Sequence, residues 1–166
     1  MSAGYGSYGL CVEPEFRLTN QRLPMIDRGV TLCLAHVRGG GEMGRERWYE
    51  DGGKYLQKRN TFTDFIAAAR LLVDQGLTTP SMLAIEGRSA GGLLVGAAIN
   101  LEPTLFTAAL AAVPFTDVLT TMRDATIPLT VGEWEEWGNP NQRDFYEYIA
   151  SYSPIDNVPE GELALR

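Results

Sequence analysis

One serine in the sequence lies in a pattern that is typical of a hydrolase nucleophile. The segment Gly87-Arg88-Ser89-Ala90-Gly91 matches G-x-S-x-G, in which the serine occupies a sharp turn between a strand and a helix. The residues two before and two after the serine must lack bulk, and the helix that follows directs its free N–H groups toward the turn. The pattern predicts Ser89 as the nucleophile and the Ala90 N–H as a donor to an oxyanion. A glycine-rich turn with an incidental serine is the alternative.

A serine nucleophile needs a general base, and the sequence contains a single histidine. That histidine, His36, precedes Ser89, whereas the triad of α/β-hydrolases follows the chain order Ser, Asp or Glu, His. The run HVRGGG also differs from the HGGG oxyanion loop of lipases, because two residues separate His36 from the glycines. We therefore expect His36 to be structural and hydrogen-bonded near the edge of the sheet.

Three short apolar runs are typical of buried strands. They span residues 29–36, 82–86 and 108–113, and the second leads directly toward the serine turn. Helical patterns lie between them and after them, as in βαβ units with parallel strands. The sequence therefore predicts an α/β class, with a mostly parallel sheet and helices on both faces.

Four helices are predicted from periodicity and from residues that favour helix ends. The clearest is residues 61–75, in which apolar residues recur three and four positions apart. Thr61 and Asp64 resemble a capping pair at its start, and Gly76 suits its C-terminal end. The other three helices span residues 90–100, 117–123 and 142–151.

Composition limits the class of protein. The chain has 166 residues, of which 45% are hydrophobic and 21% charged, as in an ordinary soluble domain. The net charge of −7 argues against non-specific binding to nucleic acid, and no apolar run is long enough to span a membrane. Two cysteines, Cys11 and Cys33, and no apolar leader favour a reducing, cytoplasmic compartment. No metal-ligand cluster, phosphate loop or dinucleotide motif is present, so we expect neither metal nor cofactor.

Six segments of the sequence resemble, in order, the catalytic domain of the prolyl oligopeptidase family of serine peptidases, most closely its oligopeptidase B branch. They are GYGSYG, HVRGGGEMGRERWYEDG, NTFTDF, EGRSAGGLLVGAAIN, VPFTDVLTTM and GEWEEWGNP. The resemblance implies an α/β-hydrolase fold, a β-propeller that admits only short peptides, and a triad ordered Ser, Asp, His. It implies that residues 1–166 are a partial catalytic domain, with the propeller upstream and with the triad Asp, the triad His and the last strands downstream.

The resemblance also implies a second oxyanion donor. In the family this donor is a tyrosine hydroxyl in the loop that matches GYGSYG, which by position is Tyr5. A phenol can donate a hydrogen bond to a developing alkoxide without changing its own charge. The alternative role for Tyr5 is an aromatic ring that packs on the glycine loop.

Acidic residues are implied to bind basic side chains of the substrate. In the oligopeptidase B branch, residues that match Glu133 and Glu135 receive the P1 Arg or Lys, and two carboxylates suit the donors of a guanidinium. We interpret their segment as extended, which would place both carboxylates on one face. Tyr8 is expected to line the S1 side of the pocket. Glu13 and Glu15 match acidic residues that receive a second basic side chain, at P2.

The resemblance thus implies that the parent protein is a cytoplasmic serine oligopeptidase, which cleaves short peptides after Arg or Lys by acyl-enzyme chemistry at Ser89. Residues 1–166 alone are expected to be inactive, because the triad Asp and His are absent from them. One alternative is a catalytically silent chain that acts at most as a binding module, because the acid and base are missing. Another is a prolyl-specific peptidase or an esterase of the same fold. The expected partners are short basic peptides rather than nucleic acid or membrane, and the oligomeric state stays open.

Overall fold

The computed structural model of the chain describes residues 1–15 and 22–160. Its sheet has four strands in the spatial order β2-β1-β3-β4. They span Ser2–Ala3 (β1), Cys33–Leu34 (β2), Ala84–Arg88 (β3) and Ala108–Ala112 (β4). All pairings between these described strands are parallel, which confirms the predicted α/β class. The apolar runs predicted β2, β3 and β4, whereas β1 is too short to leave a period in the sequence.

Six α-helices lie in the described part of the chain. They span Leu23–Ile26 (α1), Arg59–Asp74 (α2), Ala90–Leu101 (α3), Val118–Arg123 (α4), Thr130–Trp137 (α5) and Arg143–Ala150 (α6). A π-helical turn at Arg45–Glu50 and 3₁₀ turns at Tyr55–Gln57, Pro80–Met82 and Pro154–Asn157 lie between or after them. The four predicted helices correspond to α2, α3, α4 and α6, with bounds that differ by at most two residues.

The core lies between the sheet and helices α2 and α3. Helix α3 packs on β3 and β4 and is buried from Ala90 to Ala98, while α2 contributes the buried rings of Phe62 and Phe65. Burying each such ring stabilises the fold by roughly 1.5–3 kcal/mol. On the other face of the sheet, an arginine that directly precedes α1 forms an ion pair with Glu86 of β3. The predicted sheet with helices on both faces is therefore confirmed.

The predicted capping pair at the start of α2 is wrong. The helix begins at Arg59, and neither Thr61 nor Asp64 caps it, because both side chains bind a residue that is distant in sequence. The Thr61 hydroxyl donates to the Arg38 carbonyl oxygen at 2.6 Å, and Asp64 accepts from the Arg38 backbone and guanidinium at 2.6–3.0 Å. These bonds tie the glycine loop after β2 to α2. At the other end Gly76 has a φ of +69°, as predicted for a glycine that ends a helix.

Helix α5 occupies the segment that the sequence predicted to be extended, so that prediction is wrong. Acidic and aromatic residues alternate in part of GEWEEW, but Trp134 and Trp137 are also three positions apart, the spacing of neighbours on a helix. Both rings pack into or against the core, and the Trp137 indole donates to Glu133, four residues earlier, at 3.0 Å. Burial of the two tryptophans thus favours the helix over the strand. The helix ends at Gly138, whose φ is +90°.

Candidate active site

The serine turn has the geometry that its sequence pattern predicts. Strand β3 ends at residue 88 and α3 begins at residue 90, so Ser89 lies between them with φ 56° and ψ −116°. Such a backbone conformation costs about 1–3 kcal/mol and persists only where neighbours hold it. Here the Ser89 N–H donates to Ala112 of β4 at 3.0 Å. The Ser89 carbonyl oxygen accepts from the N–H groups of Gly92, Leu93 and Phe115 at 2.8–3.2 Å.

Glycines around the turn leave no space for a side chain. A Cβ added at Gly87 would lie 1.9 Å from the carbonyl oxygen of Gly91, and one added at Gly91 would lie 2.8 Å from the carbonyl oxygen of Gly4. A Cβ at Gly92 would lie 2.6 Å from Cα of Pro114. At each position the added Cβ would meet a backbone atom, so no change of rotamer relieves the contact. The argument that these positions must lack bulk is confirmed.

Ser89 is exposed and opens into a cavity of about 320 Å³. Its walls are mostly apolar. They include Val113, Phe115, Met122 and Ile127. Among the described residues that line the cavity, Glu133 is the only acidic one. The cavity thus combines a serine hydroxyl, an apolar wall and one carboxylate.

Two donors orient the Glu133 carboxylate. The Tyr8 hydroxyl donates to Glu133 Oε2 at 2.7 Å, and the Trp137 indole donates to the same oxygen at 3.0 Å. Burial raises the pKa of the Tyr8 phenol, and its hydrogen bond to Glu133 raises this pKa further, so Tyr8 stays protonated as a donor. No residue in the described part of the chain donates to Glu133 Oε1. This oxygen is therefore the one that can accept from a ligand.

Glu135 does not share this position. Two positions along a helix correspond to a rotation of about 200° around its axis, so Glu133 and Glu135 lie on different sides of α5. The prediction that both carboxylates share one face is therefore wrong. The Glu135 side chain is 75% exposed, accepts from Lys54 Nζ at 2.6 Å and does not line the Ser89 cavity. The hydrogen bond from Lys54, with a second from Tyr55, lowers the pKa of Glu135.

Tyr5 lies beside the first turn of α3. A Cβ added at Gly91 would lie 3.4 Å from the Tyr5 ring, and the centroid of that ring is 6.3 Å from the centroid of the Tyr8 ring. Burial raises the pKa of the Tyr5 phenol, and the nearby charges of Glu136 and Glu133 raise it further. A protonated phenol is what a hydrogen-bond donor requires. Tyr5 is also packed against the core, so both roles weighed for it are compatible with its position.

The remaining sequence-predicted site residues lie apart from the cavity. Glu13 and Glu15 are exposed and do not line it, so their role at P2 stays a prediction. His36 is exposed just after the edge strand β2, and its Nε2–H donates to the Val12 carbonyl oxygen at 2.9 Å, which confirms the expected hydrogen bond near the sheet edge. Within residues 1–15 and 22–160, no three His, Cys, Asp or Glu side chains converge as a metal site requires. In the same ranges no helix combines the length and apolarity needed to cross a membrane.

Sequence reasoning missed a buried ion pair beside the cavity. Lys58 Nζ lies 2.9 Å from Glu136 Oε1, and the two side chains are 1% and 2% exposed. Desolvation lowers the pKa of Lys58, an effect that the charge and hydrogen bond of Glu136 oppose. Nothing in GEWEEW distinguishes Glu136 from its two acidic neighbours unless the helix is known. With the helix assigned, the three-residue spacing to Glu133 would have indicated one shared side of α5.

Comparison with known proteins supports the resemblance found in the sequence. Residues 14–165 match the sequence profile of the Prolyl oligopeptidase family. Protease 2 from Moraxella lacunata is 56% identical over 155 residues, which are 93% of this chain and 22% of that protein.

Two solved structures match the fold closely. Oligopeptidase B from Leishmania major matches with a TM-score of 0.90 and 63% identity, and the match covers 94% of this chain and 21% of the Leishmania major chain. Oligopeptidase B from Trypanosoma brucei with covalently bound antipain has a TM-score of 0.90 and 66% identity, and the match covers 94% and 22% of the two chains. The chain thus spans about a fifth of the length of these relatives. Because the profile matches nearly the whole sequence, the chain belongs to the prolyl oligopeptidase family.

Proposed function

We propose that the protein carrying this chain is a serine peptidase that cleaves short peptides after Arg or Lys. Ser89 attacks the scissile carbonyl carbon, the amine product leaves, and water hydrolyses the acyl-enzyme. The Ala90 N–H at the start of α3 and the Tyr5 phenol donate to the oxyanion. We assign the general base to a histidine outside residues 1–166, because the Nε2–H of His36 is engaged by Val12 at the sheet edge.

The observation that carries this proposal is the pairing of Ser89 and Glu133 in one apolar cavity. Arg and Lys have an apolar stem and a cationic tip, so the stem contacts the apolar wall while the tip reaches the carboxylate. The hydrogen bonds from Tyr8 and Trp137 hold Glu133 Oε2 and leave Oε1 for the substrate. A charge-assisted bond of this kind contributes about 1.5–3 kcal/mol, or roughly 10- to 150-fold in binding.

The geometry favours Glu133 over Glu135 as the group that receives P1. Glu135 is exposed on another side of α5 and forms an ion pair with Lys54. We therefore assign Glu135 to anchoring α5 through Lys54 rather than to binding the substrate. Glu13 and Glu15, which are exposed, remain the proposed acidic residues for a basic side chain at P2. The free thiols of Cys11 and Cys33 support a reducing, cytoplasmic compartment.

A panel of fluorogenic peptides tests the proposal. The full-length protein is given peptides that are identical except for Arg, Lys, norleucine or Pro at P1. We expect kcat/KM for Arg and Lys to exceed that for norleucine by at least about tenfold, since norleucine keeps the stem but lacks the charge. Ser89→Ala should lower kcat by about 10⁴-fold or more. Cleavage after Pro as fast as after Arg would refute the specificity, and turnover by Ser89→Ala at the native rate would refute the mechanism.

A further inference from the structure

The buried pair of Lys58 and Glu136 lies where three parts of the chain meet. Lys58 directly precedes α2, Glu136 belongs to α5, and both contact the loop of residues 4–9. Two charges removed from water seldom give more net stability than well-packed apolar residues of similar size. What such a pair does provide is a fixed geometry, because each charge needs its partner and its hydrogen bonds in place.

Lys58 holds the loop from one side. Its ammonium donates to the carbonyl oxygen of Gly6 and to the Ser7 hydroxyl, both at 2.8 Å, in addition to Glu136. A weaker contact at 3.4 Å reaches the carbonyl oxygen of Gly53. One buried cation thus binds two polar atoms of the loop, the Gly6 carbonyl oxygen and the Ser7 hydroxyl.

Glu136 holds the same loop from the other side. Its Oε1 accepts from the backbone N–H of Tyr8 at 3.1 Å, and its Oε2 accepts from the Tyr49 hydroxyl at 2.7 Å. Tyr8 has a φ of +60°, a conformation that an L-residue keeps only when its surroundings fix it. The Tyr8 hydroxyl in turn binds Glu133, one helical turn before Glu136. Loop and helix are therefore connected at two points, one through Glu136 and one through Glu133.

We propose that the Lys58–Glu136 pair positions the active site, by holding the loop of residues 4–9 and helix α5 in one arrangement relative to Ser89. Neither side chain lines the cavity, so both are positioning residues. The loop carries Tyr5, and α5 carries Glu133, so a single buried pair sets both the oxyanion donor and the carboxylate for P1. This inference rests on the proposed function of those two residues. It predicts that turnover and P1 selectivity fall together when the pair is broken.

Two substitutions in the full-length protein test the inference. Lys58→Met removes the cation, and Lys58→Met/Glu136→Gln leaves no unpaired buried charge, so the double variant should fold. Active sites are titrated with a fluorophosphonate well below the unfolding temperature, so that unfolded protein is not counted. We expect each variant to show kcat lowered by about tenfold or more and a smaller ratio of Arg to norleucine cleavage. Native kcat and native selectivity per titrated site, with only the Tm changed, would overturn the inference.

A milder variant and a control make the test independent of folding. Tyr49→Phe deletes one hydroxyl that binds Glu136 and should shift both quantities in the same direction by a smaller factor. The control is Arg70→Met, which breaks the ion pair between Arg70 of α2 and Glu102. That pair contacts neither the loop of residues 4–9 nor α5, so the variant should leave both quantities native. Native kinetics in Tyr49→Phe together with native kinetics in the double variant would contradict the inference.

Amide hydrogen exchange separates this inference from the proposed function. The amides of residues 4–9 should exchange about tenfold faster in Lys58→Met than in the wild type, because the loop loses its buried anchor. If the wild type neither cleaves Arg peptides nor reacts with the fluorophosphonate, the proposed function fails, and the exchange rates still decide whether the pair positions the loop. Unchanged exchange in Lys58→Met would refute the positioning role even in an active enzyme.

Discussion

The serine turn and helix α5 each present one group to the same cavity, but different interactions hold them. At the turn, backbone contacts fix Ser89: carbonyl and N–H groups of β4 and α3 bind it, and glycines let the chain approach itself. In α5, side chains from distant parts of the chain fix the acidic residues: Tyr8 binds Glu133, and Lys58 binds Glu136. Ser89 is thus held by backbone contacts, and Glu133 by polar side-chain contacts.

This difference decides how each region responds to substitution. Backbone contacts cannot adjust by changing a rotamer, so a single added methyl in the turn should affect the whole fold. The polar contacts of Glu133 can be removed with little change in volume, so substitution of Glu133 should alter substrate preference more than stability. Three substitution experiments sharpen or break this contrast.

The largest effect is expected when a methyl is added at Gly87. Gly87→Ala brings a Cβ to 1.9 Å from the Gly91 carbonyl oxygen, so β3 or α3 must move, at a cost of about 3 kcal/mol or more in the free energy of unfolding. Chemical denaturation of the full-length protein measures this. The matched control is Gly132→Ala in α5, where no atom lies within 4 Å of the new Cβ. Alanine there should stabilise the helix by about 0.5–1 kcal/mol, and equal destabilisation by the two variants would break the contrast.

A smaller and more selective effect is expected at Glu133. Glu133→Gln keeps the shape and an oxygen that accepts from Tyr8 and Trp137, but it removes the charge that a P1 Arg would meet. We expect kcat/KM for the Arg peptide to fall about 10- to 150-fold, with little change for norleucine. Glu135→Gln, two residues away, is the comparator and should lower it far less. Equal losses in the two variants would restore the interpretation in which both carboxylates receive the substrate.

The sequence could predict the serine turn because the glycine pattern that the turn requires lies within six residues, 87–92, although the partners that those glycines approach lie elsewhere in the chain. It could not predict α5, because the alternation of Glu and Trp is equally compatible with a strand. Only the burial of Trp137, which the sequence does not reveal, favours the helix. The capping pair at Thr61 and Asp64 failed for the same reason: its real partner, Arg38, is more than 20 residues away.

The Lys58–Glu136 pair shows the limit most clearly. The two residues are 78 positions apart; Lys58 lies between the exposed Gln57 and Arg59, and Glu136 directly follows the exposed Glu135. Composition and periodicity favour solvent for both, and only the fold buries them together. The local pattern therefore predicted the serine turn, whereas the buried contacts between α5 and the loop of residues 4–9 required the tertiary structure.

The smallest effect is expected at Lys54. Burial lowers the pKa of Lys54, but hydrogen bonds to Glu135 and Glu50 raise it above its ordinary value overall. Because the pKa is higher in the folded than in the unfolded protein, the ammonium stabilises the fold fully below the unfolded-state pKa of about 10.4. That contribution is lost as the pH rises through the folded-state pKa.

Thermal unfolding of Lys54→Met measures this contribution. We expect the Tm of the variant to lie below that of the wild type from pH 7 to about pH 10, with the difference shrinking at higher pH. Arg143→Met, which breaks an exposed pair with Glu147, is the control and should show a small difference. A Tm difference for Lys54→Met that grows above pH 10 would contradict the assigned ion pair.

The central claim is that Ser89 and Glu133 act on one substrate from one cavity. The most direct measurement is the rate at which two peptidyl phosphonates, one with Arg and one with norleucine at P1, modify the full-length protein, with mass spectrometry to locate the adduct. We predict modification of Ser89 alone, at least about tenfold faster with Arg, and loss of that preference in Glu133→Gln. Equal rates in the wild type, an adduct on another residue, or an Arg preference that survives in Glu133→Gln would contradict the account.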